Sequence, residues 1–318
     1  MRAPDITRRT GLNRTVLLRP GATWHGRPAG RVLGATGLSA TVRAAASEAE
    51  VAVEGAPLLV LDRALRAGDA WAEGVAEEWV DAFAHLLRTV RSPTAADRAA
   101  RAEWTEADWA RWETAARVVV CGGVVAGELG SRASGDPRLR AHGAEVAPDP
   151  GRAALVGLAV GVGDDPGVVL DLGHSSIKAS RVRQGLLGPS VAVAVPWTPF
   201  ETRTWPAPTA LLDLVAQACR RVLPDDHETG PLRVRVAIAN YVVDGRLDDD
   251  ETYGTIARPE EDPRARLSGE LSARLGRPVQ VDLLVNDGAA AALSVPSPLP
   301  AAAVISIGTS LGTGFTGA

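Results

Sequence analysis

The feature that most constrains the fold of this chain is a strand-like apolar run that ends in a glycine-rich turn or a carboxylate, repeated four times. The four runs are Val118–Val120, Val168–Leu170, Val279–Val285 and Ala303–Ile307. Amphipathic stretches separate them, such as Trp71–Val90, in which large apolar residues recur at helical spacing. This alternation predicts an α/β fold with helices packed on mixed sheets. Ligands of such folds bind where strands end, so the residues after each run are candidate site residues.

Length and composition narrow the class of protein. A chain of 318 residues is long enough for two domains. A net charge of −4 argues against a nucleic-acid partner, and no apolar run approaches the roughly 20 residues of a membrane span. Two cysteines and the lack of a secretory signal predict a cytoplasmic protein. Three shorter apolar runs predict early strands at Thr15–Leu18, Val51–Val53 and Leu58–Leu61.

The first candidate site follows the second run and reads DLGHSSIK from Asp171 to Lys178. A tight turn at Gly173 would offer backbone N–H groups and the hydroxyls of Ser175 and Ser176 to a phosphate. Asp171 could hold a metal-bound water beside that phosphate. Lys178, the one lysine of the chain, could balance the phosphate charge or extend along the sheet. The alternative is a hairpin without a ligand.

The second candidate site follows the last run and reads GTSLGTG from Gly308. Gly308 and Gly312 would let the backbone approach a ligand closely, and the hydroxyls of Thr309 and Ser310 add donors. The alternative is a flexible glycine-rich tail. The third candidate, Gly122-Gly123 after the first run, suits a flat adenine or ribose ring laid on the backbone, or forms a simple strand-to-helix turn.

A carboxylate follows the remaining run. Asp287 stands after Asn286 at the end of Val279–Val285 and before an alanine-rich helix. There it could accept a proton from a hydroxyl that Asn286 orients. The alternative is a helix cap, a common role for Asp or Asn before a helix.

Together these segments resemble the ROK family (repressors, open reading frames and kinases) of the actin-like ATPase superfamily. VVLDLGHSSIKASRV resembles the family's first phosphate motif, ISIGTSLGTGF its second, and ARVVVCGGVV its adenosine motif. VRVAIANYVVDGRL and RLSGELSARLGRPVQVDLLVNDGAAAALS resemble the strand midway through its first lobe and the stretch with the catalytic aspartate. The resemblance implies a two-lobed actin-like ATPase (ribonuclease H-like) fold.

The order of the motifs differs from that of the family, in which the adenosine motif comes last. Moving residues 1–166 behind Ala318 would restore the family order, so the spacing suggests a circular permutation; a rearranged or degraded gene is the rival explanation. On the permuted reading, residues 167–300 form the first lobe, and residues 1–166 with 301–318 form the second. Strand Ala303–Ile307 would then complete a sheet begun by the N-terminal half.

The resemblance implies an ATP-dependent carbohydrate kinase that uses Mg²⁺ and acts on a sugar or polyol, and we expect a homodimer. Asp287 would be the general base and Asn286 would hold the sugar. The nucleotide and its Mg²⁺ would contact the residues of the three glycine-rich sites, with Asp171 acting on Mg²⁺ through water. Those residues are Asp171, Gly173, Ser175, Ser176, Lys178, Gly308, Thr309, Ser310, Gly312, Gly122 and Gly123.

Departures from the family pattern keep other functions open. The family's E-x-G-H sugar motif is missing, since no Glu precedes Glu48, and its cysteine-rich zinc motif is absent, so we expect no zinc. His174 and Ser310 also replace small residues in the two phosphate motifs. The alternative is a catalytically weak nucleotide- or sugar-binding sensor of the same fold. A transcriptional regulator, suggested by ITRRTGLNRTVL, lacks room for the rest of a helix-turn-helix.

Overall fold

The structure is a computed structural model that describes residues 6–162, 166–198, 201–223, 230–248, 252–258, 260–296 and 301–316. Its contacts divide the chain into two compact units. As far as it is described, unit 1 comprises residues 9–151 and the last segment, 301–316. Unit 2 comprises residues 152–296 together with 6–8, again within the described ranges.

The helices are α1 Ala29–Leu33, α2 Ala35–Glu48, α3 Pro57–Ala67, α4 Ala70–Arg91, α5 Ala95–Ala99, α6 Glu106–Glu113, α7 Glu128–Gly135, α8 Pro137–Ala141, α9 Ala153–Ala159, α10 Pro208–Val222, α11 Pro263–Leu275 and α12 Asp287–Ala292. The strands are β1 Arg117–Cys121, β2 Ala144–Val146, β3 Gly167–Leu172, β4 Ser176–Arg183, β5 Leu186–Ala194, β6 Leu232–Ile238, β7 Val242–Val243, β8 Arg246–Leu247, β9 Val279–Asn286, β10 Ala302–Ile307 and β11 Leu311–Phe315. No described helix has the length and apolar character needed to cross a bilayer.

Unit 1 contains a four-stranded sheet in the order β11-β10-β1-β2. Strand β1 runs parallel to both β10 and β2, whereas β11 folds back antiparallel to β10. The strand near the chain's end therefore lies beside a strand from its first half, with Val119 opposite Val304. Helix α4 buries one apolar face in the core of this unit, and its Trp79 Nε1 donates a hydrogen bond of 3.1 Å to Leu33 O.

Unit 2 contains a five-stranded sheet in the order β5-β4-β3-β6-β9. Strands β3, β4 and β5 form an antiparallel meander, and β6 and β9 run parallel to β3. This order and these directions are those of the ribonuclease H-like sheet that the sequence resemblance implies. The central strand is buried on both faces, with Val168 and Leu170 in one core cluster and Val169 in another. Mixed sheets with helices packed on them confirm the predicted α/β class. The circular permutation stays a prediction.

The three early strands predicted from apolar runs are wrong. Val16 makes only an isolated bridge with Pro28, and residues 51–53 adopt no regular structure. Residues 58–61 lie in α3, which begins with Pro57 at its first position, where proline's missing N–H costs nothing. Their apolar run is the start of a helical stripe whose buried members are Val60, Leu61, Ala64 and Leu65.

The boundary predicted between residues 166 and 167 also needs correction, because the units divide between Gly151 and Arg152. Helix α9 therefore belongs to unit 2. A Cβ on Gly157 would lie 1.9 Å from Ala290 O, so α9 and α12 approach too closely there for any residue but glycine. The predicted boundary after residue 300 borders residues 297–300, which lie outside the described residues.

Candidate functional site

Asn286 and Asp287 mark the point where β9 ends and α12 begins. The buried Asn286 side chain accepts a hydrogen bond of 2.9 Å from Gly288 N, so it is the helix cap. Its Nδ2 donates to Asn240 O at 2.9 Å, which fixes the amide orientation. Asp287 is the first residue of the helix and is half-buried, and its Oδ1 accepts from Gly288 N at 2.8 Å.

The turn after β3 is a hairpin turn, as the DLGHSSIK segment predicts. Gly173 N donates to Ser176 O at 3.1 Å, and Gly173 O accepts from the Tyr253 hydroxyl at 2.7 Å. Ser175 is exposed at the tip, whereas Ser176 is the first residue of β4. The Tyr253 hydroxyl therefore holds the backbone of the turn, and the turn presents one exposed hydroxyl, that of Ser175, at its tip.

His174 in this turn is buried, with its ring 6.3 Å from that of Tyr253. Burial lowers the pKa of His174 to about 4, so the imidazole is neutral at pH 7. Burial, and then the charge of Asp171, raise the pKa of Tyr253, which therefore keeps its proton. Neither ring supplies positive charge to a phosphate at this turn.

Lys178 lies directly opposite Asp171 across the β3–β4 ladder. Its Nζ is 3.3 Å from Asp171 Oδ2, and both side chains are mostly buried. The sequence suggests two roles for Lys178, a counter-charge to a ligand or a side chain extended along the sheet. The structure shows another role, which is to neutralise the charge of Asp171.

The ladder places the candidates of unit 2 at one edge of the sheet. Asp171 is in register with Ala237, and Ala237 is in register with Val285. Strands β3, β6 and β9 are parallel, so the Gly173 turn and the Asn286-Asp287 step lie at the same carboxyl edge, about 10 Å apart at two strand spacings. Seven of the predicted residues thus lie at or beside this edge: Asp171, Gly173, Ser175, Ser176, Lys178, Asn286 and Asp287.

In unit 1, Gly122 and Gly123 differ in what they do. Gly122 has φ +103°, and a Cβ there would lie 2.4 Å from Ile307 O on the neighbouring strand β10. Gly122 is thus needed for the backbone path. Gly123 is exposed with open space where a Cβ would be, and it lines a pocket of about 240 Å³.

This pocket, called the Gly123 pocket below, contains residues that sequence reasoning missed. Its lining side chains are apolar apart from that of Asp62. The lining residues come from α2, α3 and the segment 123–129: Leu38, Leu58, Leu59, Leu61, Asp62, Leu65, Gly123, Val124, Ala126, Gly127 and Leu129. The apolar spacing of α3 is the signal that could identify them, but four consecutive apolar residues fit a strand equally well. An apolar pocket with one polar group suits a flat ring that carries a hydrogen-bonding edge.

The turn between β10 and β11 is ordered, unlike a flexible tail. Gly308 O accepts from Ala35 N at 2.8 Å, at the start of α2. Asn13 clamps Leu311 from both sides, with Nδ2 donating to Leu311 O at 2.9 Å and Oδ1 accepting from Leu311 N at 2.7 Å. Thr309 and Ser310 are half-buried in the turn.

Gly312 does not belong to that turn. It lies buried in β11 opposite Ser306, so its backbone serves the antiparallel ladder. The residues of this motif that a ligand could approach are thus Gly308, Thr309 and Ser310.

Metal ligands are sparse. In the part of the chain that the structure describes, no group of three or more His, Cys, Asp or Glu side chains could hold a metal ion. Asp171, in β3 just before the Gly173 turn, is a single carboxylate. Mg²⁺ binds with one or two carboxylates, several waters and substrate phosphates, so a single carboxylate fits Mg²⁺ delivered with a nucleotide.

Comparison with known proteins gives no family model and no curated protein that matches the chain. Solved structures are similar to parts of it. A ROK family glucokinase from Streptomyces griseus, in complex with glucose and AMPPNP, shares 24% identity over 48% of this chain, with a TM-score of 0.34. The ethanolamine utilization protein EutJ from Carboxydothermus hydrogenoformans shares 16% over 60%, and 69% of its own length, with a TM-score of 0.36. A ROK hexokinase from Thermus thermophilus shares 22% over 48%, and 47% of its own length, with a TM-score of 0.28. The chain spans 44% of the length of the glucokinase.

Proposed function

We propose that this protein transfers a phosphoryl group from ATP to a hydroxyl of a sugar or polyol. The observation that carries the proposal is the position of Asp287: it opens α12 at the carboxyl edge of the sheet that also carries the Gly173 turn. A proton acceptor and a glycine turn that could approach a phosphate, both at one edge, are parts that this reaction needs.

Asp287 acts as the general base in this proposal. Its carboxylate takes the proton of the attacking hydroxyl, while the hydroxyl oxygen forms the new bond to phosphorus and ADP leaves with the electrons of the broken bond. Asn286, expected from the resemblance to hold the sugar, instead positions the base in this proposal, since its side chain caps α12 and is tied to the loop after β6 through Asn240 O. The fixed helix start keeps the carboxylate at the edge of the sheet.

The nucleotide would use the glycine-rich elements. The Gly123 pocket suits the base through its apolar side chains, and the exposed hydroxyl of Ser175 and the half-buried hydroxyls of Thr309 and Ser310 suit phosphate oxygens. Asp171 would hold Mg²⁺ through water, and the ion would neutralise phosphate charge.

The test is a release assay for ADP over a panel of hexoses, amino sugars and polyols, with Mg²⁺ present or removed by a chelator. We expect ADP release that requires both one class of polyhydroxyl substrate and Mg²⁺. Release that is independent of every panel member would identify an ATPase instead.

A second function is favoured by one contact, the Lys178–Asp171 ion pair at 3.3 Å. A lysine that already neutralises Asp171 competes with a metal-bound water for that carboxylate. The same fold would then bind nucleotide or sugar as a sensor without turnover. Calorimetric binding of ADP or a sugar, with no product on the whole panel, would support this function over the kinase.

A further inference from the structure

The Gly123 pocket contains one carboxylate in an otherwise apolar wall. Among the described residues that line it, Asp62 is the only one with a polar side chain, and that side chain is 25% exposed. A charged group that is left partly open inside an apolar wall is expected to orient a ligand.

Asp62 is held in one position by the elements around it. Its Oδ1 accepts a hydrogen bond of 2.6 Å from Glu128 N, the first residue of α7, and its Oδ2 accepts one of 2.9 Å from Arg66. A Cβ on Gly127 would lie 2.2 Å from Asp62 Oδ1, so the carboxylate lies directly against the backbone of Gly127. The carboxylate is thus preorganised against both the helix and the loop.

Two hydrogen bonds leave this carboxylate with further acceptor capacity, because an ionised carboxylate offers about four lone-pair sites. Since it has no proton to donate, it attracts N–H groups and repels carbonyl oxygens and phosphates. A ligand ring in this pocket must therefore bring an amino group to Asp62 and keep its anionic part elsewhere.

We propose that Asp62 determines nucleobase specificity by accepting a hydrogen bond from the exocyclic amino group of adenine. This inference rests on the proposed function, because it takes the Gly123 pocket as the site of the base. It adds a selective contact, so that a purine without the amino group, or with oxygen in its place, binds more weakly.

The experiment uses isothermal titration calorimetry on the full chain with ADP, purine riboside 5′-diphosphate and inosine 5′-diphosphate. Purine riboside differs from adenosine only by the missing amino group. We expect both analogues to bind about tenfold or more weakly than ADP, the size of a lost hydrogen bond to a charged group. Equal binding of ADP and purine riboside diphosphate would overturn the inference while leaving nucleotide binding intact.

Asp62→Asn tests the proposed contact with the amino group of adenine without removing the hydrogen bond that holds the start of α7. The amide oxygen can still accept from Glu128 N, so the start of α7 is retained, but the charged acceptor is gone. We expect the ADP preference over purine riboside diphosphate to fall below about threefold, with little change in melting temperature. Arg66→Gln is the matched control, since it removes a partner of the same carboxylate but no residue of the pocket wall.

Arg66→Gln should keep the preference seen in the unmodified chain. An Asp62→Asn protein that keeps it would show that the carboxylate does not read the base. If Asp62→Asn does not fold, the comparison of ligands on the unmodified chain still decides. Failure of all three nucleotides to bind would overturn this inference together with the nucleotide half of the proposed function.

Discussion

The candidate sites of the two units are built from different materials. At the sheet edge of unit 2, the chemistry lies in side chains: a carboxylate at Asp287, a capping amide at Asn286 and an ion pair between Asp171 and Lys178. In unit 1 the site consists of a pocket and of backbone. Gly122 has φ +103°, and Gly123, which has open space around it, lies beside the pocket with its apolar side chains.

This difference predicts how each site tolerates substitution. A side chain at a strand end can be replaced by an isostere while the strand and helix stay in place. A glycine that is forced by its φ angle and by a neighbouring strand cannot accept even one carbon. A substitution at the unit 2 site should therefore change activity with little change in stability. A substitution at Gly122 in unit 1 should lower stability as well.

The largest effect is expected for Asp287→Asn. Loss of a general base lowers turnover by about 10²- to 10⁴-fold, whereas Asn still offers an oxygen to Gly288 N, so the melting temperature should hardly change. Steady-state ADP release and thermal unfolding measure the two quantities. Asp213→Asn, an exposed carboxylate on α10, serves as the control with unchanged turnover. Full activity in the Asp287→Asn protein would remove Asp287 from the mechanism.

Gly122→Ala should show the loss of stability expected in unit 1. The added Cβ meets Ile307 O at 2.4 Å and forces a left-handed φ on alanine, so the free energy of unfolding should fall by about 2–4 kcal/mol. Urea unfolding measures the loss. Gly123→Ala is the matched control: its Cβ meets nothing within 4 Å, so stability should stay within about 0.5 kcal/mol. Equal losses at both positions would contradict the distinction drawn between these glycines.

A histidine with a lowered pKa in each unit, His174 buried and His85 half-buried, gives a pH-dependent comparison. The pKa of His174 falls from 6.5 to about 4 through burial, and that of His85 falls to about 4 through burial and then the charge of Arg88. Between pH 6.5 and pH 4, these histidines bind more protons in the unfolded chain than in the native one. Their contribution to the free energy of unfolding is therefore fully present above pH 6.5 and is lost as the pH falls toward 4. At 1.36 kcal/mol per pH unit, His174 accounts for about 3 kcal/mol.

His174→Gln should therefore flatten the dependence of stability on pH between 6.5 and 4. His85→Gln should flatten it less, because His85 is half-buried and solvent screens its charge. Chemical unfolding at intervals of half a pH unit measures both slopes. An unchanged slope in His174→Gln would mean that its imidazole is protonated in the native state.

The smallest effect is expected for Lys178→Gln. Its ion pair with Asp171 is partly exposed, and such pairs contribute up to about 1 kcal/mol. Urea unfolding should show a loss of that size or less. A loss above about 2 kcal/mol would mean that Lys178 holds Asp171 strongly. Because the lysine would then compete strongly with a metal-bound water for that carboxylate, this result would favour the sensor function.

Sequence reasoning succeeded where local pattern and burial agree. The helix predicted at Trp71–Val90 is α4, and the run Val168–Leu170 is the centre of β3. It failed at Leu58–Leu61, where four apolar residues fit either a buried strand or a helical stripe. The helix won there because Pro57 starts it and because its apolar stripe has a core to face. Strand β11 was missed because its glycines are typical of a loop, and pairing with β10 overrides that preference.

By itself, the sequence determined the α/β class, the strand ends where glycines and carboxylates cluster, and the capping position of Asn286-Asp287, because these depend on residues close together in the chain. Only the tertiary structure decided what meets across the chain. It joined β10 to β1, paired Lys178 with Asp171, and set Asp62 of α3 into the pocket beside Gly123. Such contacts depend on long-range packing, and no local pattern of residues encodes which distant surface will cover a given strand or helix.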